Sequence, residues 1–333
     1  MNTTLSRAPF LTSRESARAP MVDVLVALLP VMVMSCYFFG LRALLVTLVS
    51  VASCVAVEAL FQLLVYRTVT VNDLSAVVTG VLLAFCLPVS VPYWAVVVGA
   101  AFSMVVVKGL FGGLGKNFLN PALAGRAFLC TFPTLMSHWT APLDELSLSL
   151  TVDAVTSATP LAALHRGELP SQTLEQLFLG QTAGSLGEAS ALMLLIGGIY
   201  LMLRKVISPR IPAYYLGTVA ALSLLTCPDG IGRPTWVAYQ LLSGGLMLGA
   251  FFMATDYVTS PVTRWGHTLY AIGCGALTVL LRTFGSYPEG VCYAILMMNT
   301  TVCLVDRVLR PRPFGMARSQ WDWIRQRKKE GAK

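Results

Sequence analysis

Charge is what this 333-residue chain has least of: only 12% of its residues are Asp, Glu, Lys or Arg. Soluble globular domains carry about twice that fraction. Too little polar surface remains to clothe a water-soluble globule of this size, which excludes a cytosolic enzyme, a disordered protein and a secreted disulfide scaffold. Histidine is almost absent as well, with three residues (His138, His165 and His267), and none falls in the middle of an apolar run. That argues against a bis-histidine haem. The eight cysteines form no C-x-x-C pair and lie in or beside apolar stretches. They read as small buried hydrophobes rather than as ligands of zinc or an iron–sulfur cluster. Regularly alternating ten-residue strands, the mark of a membrane barrel, are also missing.

What the chain has instead is apolar length. Hydrophobic residues make up 56%, and the mean hydropathy is +0.69. The composition predicts a multi-span helical membrane protein. Ten apolar segments stand out: 22–39, 43–65, 76–87, 94–112, 121–136, 185–203, 211–226, 236–254, 266–283 and 290–305. Several are shorter than the roughly 20 residues of a full perpendicular span. Short or Pro/Gly-interrupted segments are tolerated where protein or a water-filled cavity surrounds them. The first segment follows Arg7, Arg14 and Arg18 and is followed at once by a second, so it reads as an anchored helix, not a cleaved leader.

Cation placement predicts orientation. With both termini cytoplasmic, twenty Lys and Arg fall inside, including Lys108, Lys116 and Arg126 around one loop and nine from Arg307 onward. Four fall outside: Arg42, Arg166, Arg233 and Arg282. This positive-inside bias requires an even number of spans. The surplus of positive charge is thus cytoplasmic anchoring on a lipid bilayer, not a nucleic-acid patch. One long external segment, 137–184, divides the spans five and five. Two five-span halves must then be inverted relative to each other. Gly80-x11-Pro92 and Gly249-x11-Pro261 recur at matching places. The expected organisation is a cytoplasmic arm 1–20, a first half 21–136, the external loop 137–184, a second half 185–306 and a basic cytoplasmic tail 307–333. Gly109-x3-Gly113 and Gly245-x3-Gly249 suit close helix packing.

The external loop contains Asp153-Ala-Val-Thr156-Ser157-Ala158-Thr159-Pro160. Thr159 before Pro160 predicts a helix N-cap with Pro at the first helical position. Its hydroxyl then lies beside unpaired amides, a place that suits either a plain cap or a phosphate group.

This stretch resembles the flavinylation motif Asp-x-x-(Ser/Thr)-(Gly/Ser)-Ala-Thr, with Ser157 where Gly is frequent. Further stretches point the same way: Tyr37-Phe-Phe-Gly-Leu-Arg-Ala43, Asp73-Leu-Ser-Ala-Val-Val-Thr-Gly80, Gly112-Gly-Leu-Gly-Lys-Asn-Phe-Leu-Asn-Pro-Ala-Leu-Ala-Gly-Arg-Ala-Phe128, Gly184-Ser-Leu-Gly-Glu-Ala-Ser190, Ala254-Thr-Asp-Tyr-Val-Thr-Ser-Pro261 and Tyr287-Pro-Glu-Gly-Val291. From about residue 7 to 315 the chain resembles the family that holds the D-type membrane protein of the Rnf ion-translocating electron-transport complex and the B-type membrane protein of the sodium-translocating NADH:quinone reductase. The resemblance implies a flavin-carrying subunit of a bacterial inner-membrane complex that couples electron exchange between ferredoxin and NAD to Na⁺ or H⁺ movement. It implies FMN held covalently on Thr159 as a phosphoester, with Asp153, Thr156, Ser157 and Ala158 read by a flavin transferase. A second, non-covalent flavin (riboflavin or FMN) within the helices and a partner protein with its own covalent flavin are implied as well.

Four further residues are candidates for that second flavin or an ion path. Asn117, Asn120 and Arg126 lie in the Gly-rich stretch 112–126, which also reads as a tight turn and completes neither a Walker loop nor G-x-G-x-x-G. Asp256 stands among Thr255, Thr259 and Ser260, a set of hard oxygens that also suits a helix-ending turn. Glu58 lies in an apolar run, about 13 Å along a helix from Arg67, and an intramembrane carboxylate is an ion-path candidate by default. Glu188 is a second such candidate, or else complements the dipole of the helix it opens. Asp73 is expected to cap the short third segment. The tail carries Trp321 and Trp323 among its cations, which suits an anionic leaflet. Two readings of another class remain: an inverted-repeat channel or solute transporter with no redox role, and a structural anchor for redox partners.

Overall fold

The computed structural model describes residues 17–67, 70–142, 159–188, 190–285 and 289–309. Among these the chain is all-helical, with fourteen α-helical segments and no β-sheet. The first half comprises α1 (Arg18–Phe39), α2 (Leu41–Val65), α3 (Ser75–Phe85), α4 (Tyr93–Ala101), α5 (Pro121–Cys130) and α6 (Pro133–Met136). Two short helices, α7 (Pro160–His165) and α8 (Leu174–Leu179), belong to the connecting segment. The second half comprises α9 (Ala191–Leu203), α10 (Arg210–Leu225), α11 (Arg233–Leu242), α12 (Leu246–Leu248), α13 (Arg264–Phe284) and α14 (Val291–Val308). Helix α4 continues as a π-helical stretch, Phe102–Gly109, and α12 continues as another, Gly249–Met253. By length and composition α1, α2 and α14 can cross a membrane. Segments α11 and Leu246–Met253 make a fourth candidate, bent by 66°.

Helix α2 shows how the sequence builds a bundle for lipid. Its buried residues are Ala43, Val46, Thr47, Ser50, Cys54, Glu58 and Gln62, which recur at helical spacing on one face. Its exposed residues include Leu48, Leu60, Leu63 and Leu64. The polarity is inverted relative to a water-soluble helix: small and polar inside, leucine outside. Small residues let helices approach closely where no hydrophobic driving force separates them from lipid. Helix α3 packs along this face and is buried at nearly every position.

Close approach is most acute at Gly80 in α3. Ser50 Oγ donates to the Gly80 carbonyl at 2.7 Å, and a Cβ on Gly80 would stand 2.6 Å from the Val51 Cα. Backbone cannot yield cheaply, so Gly80→Ala is expected to cost about 1–3 kcal/mol by overpacking. The measurement is thermal unfolding in detergent. Gly217→Ala, which meets nothing within 4 Å, should leave the transition in place.

In the first half α2 packs on α3 and on α4, and α5 packs on the π-helical continuation of α4. In the second α10 packs on α11 and α13, and α13 on α14. Helices α1 and α9 pack on each other.

Three features correct the sequence-based expectations. Lys108 and Arg126 are not exposed anchoring cations beside a loop: Lys108 is buried in the π-helical stretch and Arg126 in the middle of α5. Arg282 is not a free outer charge either. It is buried in α13 and caps the C-terminal end of α11, with Nη1 donating to the Gln240 carbonyl at 2.6 Å and Nη2 to the Ser243 carbonyl at 2.9 Å. Dropping these three leaves eighteen inside cations against three outside. Gly245 and Gly113 do not serve helix packing. Gly245 lies in the break between α11 and α12, where Gly244 takes φ +70°. Gly113 occupies a turn at φ +88°, while Gly109 abuts Phe61 and Gly249 abuts Val291 as expected. Of the cysteines, Cys54, Cys86, Cys274 and Cys292 are buried, but Cys303 is exposed.

Candidate functional site

Two groups of chemistry-bearing residues emerge. The first surrounds Thr159. Its side chain caps α7, accepting from the Ala162 N–H at 3.3 Å, with Pro160 at the first helical position. The cap expected from the sequence is there. Only the oxygen's acceptor capacity is used in this bond, and an ester oxygen at the same place could still accept.

Helix α7 is fixed to the bundle. Leu161 and Leu164 form a small apolar cluster with Leu177, Trp236 and Tyr239. His165 Nδ1 lies 2.6 Å from the Arg282 carbonyl, and Tyr239 Oη donates to the Gln172 carbonyl at 2.9 Å. The helix bearing Thr159 is therefore docked against α11 and α13, on the limb just before the break.

Thr159 is 8% exposed, and its side chain lines a cavity of about 220 Å³ together with Arg126, Met136, Trp139, Glu289 and Tyr293. Arg126 forms an ion pair with Glu289. Glu188 lies behind it: Gly245 stands between, its would-be Cβ 3.6 Å from Glu188 Oε1 and 3.9 Å from Arg126 Nη1. Ser185 Oγ donates to Glu188 Oε1 at 2.8 Å, and Glu188 also feels the charge of Arg282. Charges of alternating sign thus run from the cavity to the broken helix: Glu289, Arg126, Glu188, Arg282. Ser190 caps α9 by accepting from the Met193 N–H, and Glu188 lies two residues before that cap. Asp153, Thr156, Ser157 and Ala158 lie outside the described residues.

The second group surrounds Glu58. Its Oε1 lies 2.6 Å from Lys108 Nζ, with the two side chains 7% and 4% exposed. Lys108 also donates to Ser75 Oγ at 2.6 Å, and Gln62 Nε2 donates to Glu58 Oε1 at 3.2 Å. Glu58 Oε2 has no hydrogen-bond partner. Asp73 accepts from the Ser75 N–H and hydroxyl at 3.0 and 2.8 Å, so it bonds the first residue of α3 from one position before the N-cap, which is Leu74 rather than the Asp73 expected. The pair stands between two spaces. Glu58, Gln62 and Asp73 line an open cleft of about 520 Å³. Lys108, Ser75, Asn117, Asn120 and Asp256 line a narrower cavity of about 90 Å³. Leu114, in the Gly-rich turn where Gly112, Gly113 and Gly115 all take positive φ, borders both.

The four candidates for a second flavin or ion path therefore separate. Asn117, Asn120 and Asp256 come together, whereas Arg126 belongs to the Thr159 cavity. Asn120 caps α5 through the Ala122 and Leu123 amides and donates to the Met253 carbonyl at 3.4 Å, tying α5 to the second half. Asp256 closes a turn on itself, accepting from Thr259 Oγ1 at 3.0 Å and the Val258 N–H at 3.4 Å. Burial pushes its carboxyl above the ordinary carboxylate value, and these two bonds pull the other way. Among the described residues no cluster of His, Cys, Asp and Glu could hold a metal ion.

Sequence reasoning missed Lys108, Glu289 and Arg282 as site residues. The signal for Lys108 was present: a lone cation in Val105-Val-Val-Lys108 needs an acidic partner as surely as Glu58 needs a basic one. Glu289 stood in a stretch quoted for its resemblance alone.

Comparison with known proteins gives one consistent picture. The sequence model of the family described as "NQR2, RnfD, RnfE family" matches residues 4–315. The chain is 47% identical over 322 residues to the D component of the Na(+)-translocating ferredoxin:NAD(+) oxidoreductase complex of Acetobacterium woodii, covering 96% of this chain and 97% of that protein. It is 40% identical to the D component of the proton-translocating ferredoxin:NAD(+) oxidoreductase complex of Clostridium ljungdahlii, covering 95% and 97%. It is 39% identical to the D component of the ion-translocating oxidoreductase complex of Stutzerimonas stutzeri, covering 91% and 93%.

Proposed function

This chain belongs to the NQR2, RnfD, RnfE family, and from that membership we propose that it is the flavin-carrying membrane subunit of a bacterial ion-translocating oxidoreductase complex. The complex couples electron transfer between ferredoxin and NAD to Na⁺ or H⁺ movement. This chain acts as a redox subunit within it, with no catalysis of its own in isolation.

The observation that carries the reading is the placement of Thr159. The last residue of the Asp-x-x-Thr-Ser-Ala-Thr stretch lines a cavity with a guanidinium and two aromatic side chains, Trp139 and Tyr293. That set suits a planar aromatic group tethered through phosphate: the hydroxyl for the phosphoester, Arg126 for negative charge, the aromatic walls for the ring. Thr159 would hold the FMN, with Asp153, Thr156, Ser157 and Ala158 read by the transferase. The flavin supplies the electron-transfer chemistry, and the chain supplies position and electrostatics. Docking of α7 through Leu161, Leu164 and His165 holds the attachment point still against the bundle. The space lined by Asn117, Asn120 and Asp256 is the place for a second, non-covalent flavin or for the ion path, and Glu58 with Lys108 stands at its cleft side.

The reading includes ten spans in two inverted halves, for which the support is the ten apolar segments and the recurring Gly80-x11-Pro92 and Gly249-x11-Pro261 spacing. With both termini cytoplasmic, segment 137–184 and the Thr159 cavity face the outer side of the inner membrane. The partners are the other subunits of the complex, including a second one with covalent flavin, and the transferase during maturation.

The test is to co-express the full chain with a flavin transferase and inspect a denaturing gel for flavin fluorescence. The carrier reading predicts a fluorescent band. A dark band despite active transferase returns the chain to a channel or an anchor.

A further inference from the structure

We propose that the Arg126–Glu289 pair sets the redox potential of the flavin on Thr159: Arg126 stabilises negative charge on the reduced ring, and Glu289 attenuates that effect. The inference rests on the flavin reading above and deepens it.

Arg126 is 6% exposed and lies in the middle of α5. A buried guanidinium is costly, and a pair serving stability alone gains little over apolar residues of the same volume. This pair is not sealed between helices. Arg126 and Glu289 both line the cavity that Thr159 lines, and the Glu289 side chain is the more exposed of the two, at 19% against 7%. Arg126 also has a carboxylate behind it. Glu188 and Arg126 flank Gly245, and Ser185 holds Glu188 in place. Arginine suits this position better than lysine, because its planar fork can face two acceptors at once and keeps its charge when buried.

The consequence follows from the sign of the charges. Reduction adds negative charge to a flavin ring, and a nearby cation in a poorly screened site favours the reduced form. Glu289 neutralises part of that cation. Removing the Glu289 charge should therefore raise the potential, and removing the Arg126 charge should lower it. The two carboxylates differ in placement: Glu289 lines the cavity that Thr159 lines and Glu188 does not, so Glu289 is the tuning partner.

The experiment is a spectroelectrochemical titration of the full chain, co-expressed with the transferase, in wild type, Glu289→Gln, Arg126→Lys and Arg126→Gln. Flavin fluorescence on a denaturing gel establishes loading in each. Glu289→Gln is expected to shift the reduced-to-oxidised ratio at fixed potential at least tenfold toward reduced, about 30 mV for a two-electron couple. Arg126→Gln should shift it as far the other way, and Arg126→Lys by less. If Arg126→Gln does not fold, Glu289→Gln decides alone. A loaded Glu289→Gln protein whose potential stays within that range of wild type, or falls, overturns the inference while leaving the flavin reading standing. A dark wild-type band removes the flavin, and the inference with it.

Discussion

Lys108→Met is expected to be among the most damaging single substitutions in the bundle, at a cost of about 3–5 kcal/mol. That is the range for removing one partner of a buried ion pair and leaving the other uncompensated. The abandoned group is Glu58, whose Oε1 would lose the ammonium at 2.6 Å and whose Oε2 already has no hydrogen-bond partner. Ser75 Oγ would lose its donor as well. Most of the loss should return in Lys108→Met combined with Glu58→Gln, because an amide needs no counter-charge and can still bond with Gln62. Thermal unfolding of the detergent-solubilised chain measures both. Electron-transfer-driven ion uptake into vesicles separates fold from function. If Glu58 serves the ion path, the stable double variant gains no uptake. Full uptake in it would make the pair purely structural.

Thr159→Ala is expected to leave the fold almost intact and abolish covalent flavin altogether. The structural loss is one N-cap on a six-residue helix, typically about 1 kcal/mol. The three interactions that dock α7, through Leu161, Leu164 and His165, are untouched. The chemical loss is complete, because no ester can form at alanine. Electron transfer through the assembled complex should fall to the level of the transferase-free strain. The anchor reading predicts the opposite: a dark band with electron transfer unchanged.

How much of this was legible in the sequence depends on how local each feature is. Each of the long helices α1, α2, α13 and α14 falls on an apolar run read from the sequence. The cap at Thr159 and the bonds of Asp73 to Ser75 at the start of α3 were legible too, since they depend on residues two or three positions away. The break between α11 and α12 was not. Segment 236–254 reads as one apolar run, and Gly244–Gly245 resembles the glycines common in membrane helices. What makes a break affordable is Arg282, on a different helix, which receives the freed carbonyls of Gln240 and Ser243. The same holds for both ion pairs. Glu58 with Lys108, and Arg126 with Glu289, join residues distant in sequence, so a count along the chain read Lys108 and Arg126 as anchoring cations around one loop. Arg126 moved furthest, from the Gly-rich stretch with Asn117 and Asn120 to the cavity that holds Thr159.

The most direct test of the central claim is tandem mass spectrometry of the peptide containing Thr159, from full chain matured with the flavin transferase. The account predicts that this peptide carries one FMN through phosphate, and that the fragment series places it on Thr159 rather than Thr156 or Ser157. An unmodified Thr159 in a preparation whose transferase labels another substrate, or FMN on a different residue, would contradict it.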